Sequence, residues 1–207
     1  MPVHLVDHPL VQDALIDLRD KRTLPEHFRR AATRISVLLA AEALREVPTS
    51  HINVDTPLGP ADGRHIESDI VVVPVLRAGL GMLDAVLELV PNARVGHIGL
   101  QRDELTAVAS QYYSKLPGSL HSSFVLMIDP MLATGGSAVA AIQLLRAAGA
   151  RQIRIVCIVA APEGIRTVEQ HYPDVVIYTP VVDRCLNDHK YIVPGLGDFG
   201  DRLYGTV

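Results

Sequence analysis

The sequence contains few features of secreted or membrane proteins. It has only two cysteines in 207 residues, Cys157 and Cys185, which offer neither a disulfide framework nor a CxxC metal pair. A reducing compartment is the simplest setting for such a chain. No apolar run approaches the ~18 residues that a membrane helix requires. The first residues include acids and a proline where a signal peptide needs an apolar core. We therefore expect a cytoplasmic protein that does not enter a membrane.

The sequence also has no large excess of charge of one sign. The formal net charge is -4, and no long run of one sign interrupts the chain. Proteins that bind nucleic acids or membrane surfaces usually need a basic face, so we expect neither partner. The apolar content of 48% and the length suit one globular domain with a substantial core. Basic residues near the N-terminus are interleaved with acids, which we interpret as a solvated helix face: Arg19, Lys21, Arg22, Arg29 and Arg30.

Apolar runs of strand length alternate with helical stretches in the middle of the chain. The pattern predicts strands over 70–76, 94–100, 124–128, 153–161 and 175–180, and helices over 79–90, 137–148 and 163–171. Short strands that are apolar throughout are typical of a parallel sheet covered on both faces, and the helices provide the crossovers. We therefore predict an α/β fold with a central, mostly parallel sheet and helices on both faces.

The two ends of the chain depart from this alternation. The first 47 residues have helical spacing, and residues 48–68 contain prolines and glycines that indicate turns or a short polar hairpin. The stretch after residue 180 has neither the apolar runs typical of these strands nor helical spacing. We interpret the chain as a single domain, 1–207, with an N-terminal helical and hairpin extension (1–68), a core sheet (69–180) and a C-terminal segment (181–207).

A loop rich in small residues follows the predicted strand 124–128. Asp129 ends the strand, and Gly135 and Gly136 would let the backbone fold closely around a phosphate at the start of the next helix. Thr134 and Ser137 add hydroxyl donors. No lysine follows the glycines, which argues against the loop of a nucleoside triphosphatase and favours a phosphate monoester. The alternative is a plain strand-turn-helix in which Ser137 caps the helix.

The stretch MIDPMLATGGS resembles the phosphoribosyl pyrophosphate (PRPP) loop of type I phosphoribosyltransferases. That class usually has two adjacent acids at the strand end, whereas here Pro130 follows Asp129. The departure matches one branch, the uracil phosphoribosyltransferase family. Three further stretches agree with that family: VPVLRAGLGM (74–82), VAAPEGI (159–165) and YIVPGLGDFGDRLYGT (191–206). The resemblance runs from His8 to the C-terminus.

The resemblance implies a type I phosphoribosyltransferase-like fold whose C-terminal segment forms a base-binding hood. It also implies an enzyme, a pentosyltransferase that converts uracil and PRPP to UMP and diphosphate in pyrimidine salvage. The catalytic residues it implies are Arg77, Arg102, Asp129 and Asp198. The same four residues would bind PRPP together with the rest of the loop, namely Pro130, Met131, Leu132, Ala133, Thr134, Gly135, Gly136 and Ser137.

Within this set the resemblance places the 5-phosphate against Ala133 to Ser137 and the ribose hydroxyls on Asp129. Arg77 and Arg102, each near the end of a predicted strand, would bind the pyrophosphate through forked hydrogen bonds. Without the resemblance, Arg102 is interpreted as a solvated surface charge.

The glycine-rich stretch 191–200 is the predicted uracil site. Main-chain groups can recognise the polar edge of uracil where side chains leave room. The resemblance assigns uracil contacts to Ile192, Gly197, Asp198 and Phe199, and Asp198 is also a candidate acceptor for the N1 proton. The alternative is a terminal turn that only packs against the domain.

The sequence also bears on cofactors, effectors and assembly. The nine histidines show no ligand spacing such as HExxH, so we expect no metal site built by the protein, and Mg²⁺ would be bound mainly through PRPP. We also expect a homodimer or a higher homo-oligomer, and GTP, which activates some family members, is a candidate effector.

The arm after Arg102 is less acidic than is usual in the family. It reads RDELTAVASQYYSKLP, with Leu105, Ala107 and Ala109 where the family commonly has a more acidic pattern. Such arms usually close over the substrate, and the changes bear on that motion and on effector binding.

Two alternatives to a uracil transferase stay open at this point. One is a regulatory RNA-binding protein on the same fold, which would need an exposed basic face. The other is a phosphoribosyltransferase for a purine or orotate. Orotate would require a cation for its carboxylate, and residues 191–200 contain none.

Overall fold

The computed structural model of the chain describes residues 3–102 and 109–206. Within these residues the helices are α1 (Pro9–Arg19), α2 (Pro25–Ala43), α3 (Leu80–Leu89), α4 (Gly136–Ala147), α5 (Pro162–His171) and α6 (Phe199–Tyr204). The strands of the first half are β1 (Val3–Leu5), β2 (Thr49–Thr56), β3 (Gly59–Ile66), β4 (Asp69–Leu76), β5 (Arg94–Val95), β6 (His97–Arg102) and β7 (Ala109–Lys115). Those of the second half are β8 (Ser123–Ile128), β9 (Met131–Leu132), β10 (Gln152–Val156), β11 (Val159–Ala160), β12 (Val176–Thr179), β13 (Cys185–Leu186) and β14 (Ile192–Val193).

The central sheet has the strand order β1-β12-β10-β8-β4-β6-β7, with β5 also paired to β4. Neighbouring strands are parallel from β1 to β6, and β7 alone of these pairs in the antiparallel direction. The predicted α/β fold with a mostly parallel sheet is therefore confirmed. Because β4, β8 and β6 run parallel beside one another, their carboxyl ends lie at one edge of the sheet, where ligands bind in folds of this kind.

Strands β4 and β8 are apolar throughout because both of their faces are covered. Ile70 and Val72 of β4 belong to a core layer that they share with α1, α2, α3 and α6. Val71 and Val73 belong to the opposite layer, which they share with α4 and α5. The alternation of side chains along a strand thus divides one apolar run between two cores.

Two strands of the central sheet lie where the sequence predicts none. Residues 3–5, predicted to be helical, form β1, which pairs in parallel with β12 at the edge of the sheet. The polar stretch 101–123 contains β7, which pairs with β6. The hairpin predicted for residues 48–68 is confirmed as β2 and β3, paired from Thr49–Ile66 to Thr56–Gly59. The division of the chain at residues 68 and 180 stays an interpretation.

The interpretation of the N-terminal basic residues as a solvated face is wrong for Arg19, which is partly buried in an ion pair, whereas Arg29 is exposed. Arg19 forms a hydrogen-bonded ion pair with Asp183, and Arg29 donates to the carbonyl of Leu203 at 2.8 Å. These partners come from the far end of the chain, which a local charge pattern cannot reveal. Among the described residues, none of the helices combines the length and apolar character that a membrane crossing would need.

Candidate active site

The loop after β8 turns directly into helix α4. Gly135 precedes the helix in a left-handed conformation (φ 85°), and its carbonyl accepts the first helical hydrogen bond from the N–H of Val139 at 2.9 Å. Asp129, Ala133, Gly135 and Ser137 line a small pocket at this point. The first turn of α4 directs backbone N–H groups and the positive end of the helix dipole toward the loop, an arrangement that attracts an anion.

Helix α5 supports this loop from behind through two glycines. A Cβ atom on Gly135 would lie 2.7 Å from the carbonyl oxygen of Gly164, and a Cβ on Gly164 would lie 2.5 Å from the carbonyl oxygen of Ala133. The N–H of Ala161 also donates to the carbonyl of Leu132 at 2.9 Å. Sequence reasoning placed Gly164 only within a family motif, VAAPEGI, and missed that it fixes the position of the loop.

We expect Gly164→Ala to weaken phosphate binding because the added methyl group must push Ala133 outward. The predicted result is a loss of affinity for UMP of about tenfold or more, since displacement of the loop separates several N–H donors from the phosphate at once. Isothermal titration calorimetry with UMP measures the affinity of Gly164→Ala, of a control variant and of the wild type. Gly118→Ala is the matched control, because a Cβ at Gly118 meets nothing within 4 Å. Equal affinities of Gly164→Ala, Gly118→Ala and the wild type would contradict the prediction.

The turn after β4 lies against the end of β8. The N–H of Gly79 donates to the carbonyl of Val75 at 2.9 Å, and a Cβ on Gly79 would lie 2.5 Å from the carbonyl oxygen of Ile128. The turn begins with a cis peptide bond between Leu76 and Arg77. The close approach of Gly79 to Ile128 brings Arg77 to the same edge as Asp129, the residue that follows Ile128.

Arg77 is exposed, and its Nη2 lies 3.6 Å from Oδ1 of Asp201 in α6. An exposed ion pair at this distance is weak, so the guanidinium can exchange the carboxylate for another anion. Arg102 ends β6, the strand beside β4, where Leu76 pairs with Gly99. The Arg102 side chain and residues 103–108, which include most of the altered arm, lie outside the described residues.

The C-terminal segment reaches the same edge. Strands β13 and β14 form a small antiparallel ribbon, and the glycine-rich turn that follows contains Gly195 (φ 61°) and Gly197 (φ 81°). Asp198 caps α6 by accepting a hydrogen bond from the N–H of Asp201 at 2.9 Å. A Cβ on Gly81 would clash with Leu203 of α6, so α6 packs closely on the start of α3.

The structure limits how two of the predicted uracil residues can act. The ring of Phe199 is buried against Phe28, with ring centroids 5.2 Å apart, and the side chain of Ile192 is buried in the same core. Neither side chain is therefore available to a base, and any contact of these two residues with a base would involve their backbone groups. Gly197 and Asp198 are exposed.

Glu163 links helix α5 to the C-terminal ribbon of β13 and β14. Its Oε1 accepts a hydrogen bond from the N–H of Leu186 at 3.2 Å. Hydrogen bonds from its own backbone N–H and from that of Leu186 hold the pKa of this carboxyl below its ordinary value. The first turn of α5 therefore contacts the loop through Gly164 and β13 through Glu163.

The mostly parallel sheet, the loop that leads from β8 into α4 and the C-terminal segment at the same edge are those of a type I phosphoribosyltransferase fold. The fold agrees with the solved structure of adenine phosphoribosyl transferase from Trypanosoma brucei, with a TM-score of 0.58, 16% identity and coverage of 95% of this chain and 88% of that one. A protein of Aquifex aeolicus is more similar, with a TM-score of 0.93 and 38% identity over 98% of this chain and 97% of that chain.

The sequence comparisons identify the family within this class. The family model "Uracil phosphoribosyltransferase" matches residues 5–206. Uracil phosphoribosyltransferase of Dictyoglomus thermophilum is 54% identical and that of Rhodococcus opacus 51%, each over 99% of this chain and at least 98% of the relative. The chain belongs to the uracil phosphoribosyltransferase family and is a pentosyltransferase enzyme, as the motifs predict.

Proposed function

We propose that the catalytic centre for joining uracil to PRPP, with release of diphosphate, is the sheet edge formed by β4, β6 and β8. The observation that carries the proposal is the direct contact between the elements: the Arg77 turn lies on the end of β8, and α6 lies on the start of α3. Sites for phosphate, pyrophosphate and base are thus adjacent. The comparisons lend no support to an RNA-binding regulator on this fold.

The 5-phosphate binds the loop Ala133–Ser137 in this proposal, and Asp129 accepts hydrogen bonds from the ribose hydroxyls. Gly135 supports the assignment, because its left-handed backbone lets the loop close around a small anion at the start of α4. The connection between Asp129 and this loop consists of Pro130, Met131 and Leu132. β9 pairs with β11, so this connection is held by backbone hydrogen bonds.

The arginines act on the leaving group. Bond breaking at the anomeric carbon builds positive charge on the ribose, while negative charge grows on the departing pyrophosphate. Arg77 and Arg102 stabilise that charge, and fixing the sugar through its 5-phosphate directs attack by N1 of uracil. Asp198 contacts the sugar and receives the N1 proton.

Uracil binds backbone groups of Ile192, Gly197, Asp198 and Phe199. Burial of the Ile192 and Phe199 side chains supports this, because the base edge then meets peptide groups rather than mobile side chains. A rigid backbone can recognise the two carbonyls and the N3–H of uracil with fixed geometry.

Mg²⁺ enters as part of the substrate. Among the described residues, no group of three or more His, Cys, Asp or Glu side chains is placed to hold a metal ion. Mg²⁺ binds readily through phosphates and waters with one or two carboxylates, so the few acids at this edge fit an ion carried by PRPP. The ion would neutralise pyrophosphate charge beside Arg77 and Arg102.

A homodimer or higher homo-oligomer is proposed on the basis of the β2–β3 hairpin. Ile52, Val54, Leu58 and Ile66 are exposed on it, and Leu58 is fully so. An isolated two-stranded hairpin is marginally stable in water, which favours its being covered by a second copy. The sequence-based proposals of a cytoplasmic location and of GTP as an effector are retained without an assigned effector site.

Selectivity for the base tests the proposed function. We expect uracil to be preferred over cytosine by ~10⁴-fold in kcat/KM, because cytosine inverts two hydrogen-bonding positions and leaves buried groups unpaired. The measurement is UMP formation from labelled uracil and PRPP, in competition with cytosine, hypoxanthine and orotate. A competitor used as well as uracil would show that the base site is wrongly assigned.

Arg77→Ala is expected to impair the use of PRPP far more than the binding of UMP. The product keeps the 5-phosphate but lacks the pyrophosphate, so a residue dedicated to pyrophosphate should affect the substrate alone. Losing one charge-assisted contact predicts a fall in kcat/KM for PRPP of about tenfold to a hundredfold.

Steady-state kinetics and UMP titration provide the comparison. Arg45→Ala serves as the control, because Arg45 is an exposed arginine paired with Glu42, which contacts His4 of β1 at the far side of the sheet from β4 and β6. Equal losses for PRPP and UMP in Arg77→Ala would rule out a role specific to pyrophosphate.

A further inference from the structure

We propose that Arg19 and Asp183 are positioning residues for uracil recognition. Neither is among the predicted site residues. Their ion pair binds both backbone polar groups of Gly195 and so fixes the turn that presents the base-reading peptide groups. The inference rests on the proposed placement of uracil against residues 192–199.

The pair and the peptide groups of Gly195 form a closed set of hydrogen bonds. Arg19 Nη2 donates to Asp183 Oδ1 at 2.7 Å, and Arg19 Nη1 donates to Asp183 Oδ2 at 3.0 Å. The same Nη1 donates to the carbonyl of Gly195 at 2.9 Å, and the N–H of Gly195 donates to Asp183 Oδ2 at 2.8 Å. Each charged group therefore binds the backbone group of opposite polarity.

The pair is shielded from water, which strengthens its hold on the turn. The Asp183 side chain is 4% exposed and that of Arg19 is 22% exposed. Hydrogen bonds to ionised groups are stronger than neutral ones, and removing one member of a buried pair leaves a costly uncompensated charge. The pair of Asp13, in the same helix, with Arg34 is exposed by contrast, and exposed ion pairs contribute little.

A displacement of Gly195 would move the peptide groups proposed to bind uracil. It lies between Ile192 and Gly197, both proposed to contact uracil, and it has a left-handed backbone (φ 61°). A Cβ on Gly195 would clash with the carbonyl of Ile192, so the turn is tightly wound. A shift of Gly195 therefore displaces the peptide groups on either side of it.

The two charges are themselves fixed to separate parts of the fold. Arg19 is the last residue of α1, and the N–H of Asp183 donates to the carbonyl of Ala160 in β11 at 2.8 Å. Arg202 adds a second connection, donating to the carbonyls of Leu196 at 2.7 Å and Asp20 at 2.6 Å. The end of α1 therefore supports the turn around Gly195 through direct hydrogen bonds.

Asp183→Asn is the first test. Three N–H groups donate to the carboxylate, and an amide offers only one acceptor oxygen, so at least one of these N–H groups loses its partner and faces the amide NH₂ instead. We expect the KM for uracil to rise about tenfold or more, with the KM for PRPP changed by less than about twofold. Arg19→Lys, which keeps the charge but loses the fork, should show the same pattern to a smaller degree.

A double variant separates positioning from stability. Replacing a buried ion pair by apolar residues is often neutral or stabilising, so Arg19→Met with Asp183→Leu should recover much of the stability lost in the single variants. It cannot bind the N–H and carbonyl of Gly195. We expect its uracil KM to stay raised, and the amides of residues 195–198 to exchange hydrogen faster than in the wild type.

The matched control is the exposed pair of Asp13 and Arg34, which also joins α1 to a neighbouring element. Asp13→Asn should leave both KM values and amide exchange unchanged. Equal increases in the two KM values, or a double variant with normal uracil KM and normal exchange at 195–198, would overturn the proposal. Failure of the wild type to use uracil would instead count against the proposed function, and amide exchange would still report whether the pair fixes Gly195.

Discussion

The parallel pairing of β4 with β8 is the constraint on which the rest of the site depends. Asp69 pairs with Ser123 and Pro74 with Ile128, so β8 ends within two residues of the end of β4. The residues that follow them, Arg77 on one side and Asp129 on the other, are therefore neighbours although 52 positions separate them in the sequence. A shift of this register would separate the proposed pyrophosphate and ribose sites.

Glycines allow the elements at this shared edge to pack closely against one another. Gly79 lets the turn that contains Arg77 contact the end of β8, Gly164 lets α5 contact the loop before α4, and Gly81 lets α6 pack on α3. In each case a methyl group would meet a backbone or core atom too closely. These positions need glycine because of what lies beside them, and none of the three has a positive φ.

The sequence was sufficient for features whose cause is local. Apolar runs and helical spacing predicted the core strands and helices, because burial on two faces leaves a continuous apolar pattern in β4 and β8. The loop around Gly135 could be predicted because its small residues and hydroxyls follow a strand directly.

Features that depend on distant partners could not be predicted in the same way. Strand β1 is only three residues long and depends on the edge of β12, and Arg19 differs from its basic neighbours only because Asp183 faces it. The roles of the individual site residues stay predictions, since they depend on where a ligand binds.

A crystal structure of the protein with bound UMP tests the central claim most directly, because one ligand reports on two of the proposed sites. The account predicts the 5-phosphate against the backbone N–H groups of the loop that opens α4. It also predicts the polar edge of uracil against backbone groups of residues 192–199. A phosphate bound elsewhere, or a base that contacts a different segment of the chain, would contradict the account.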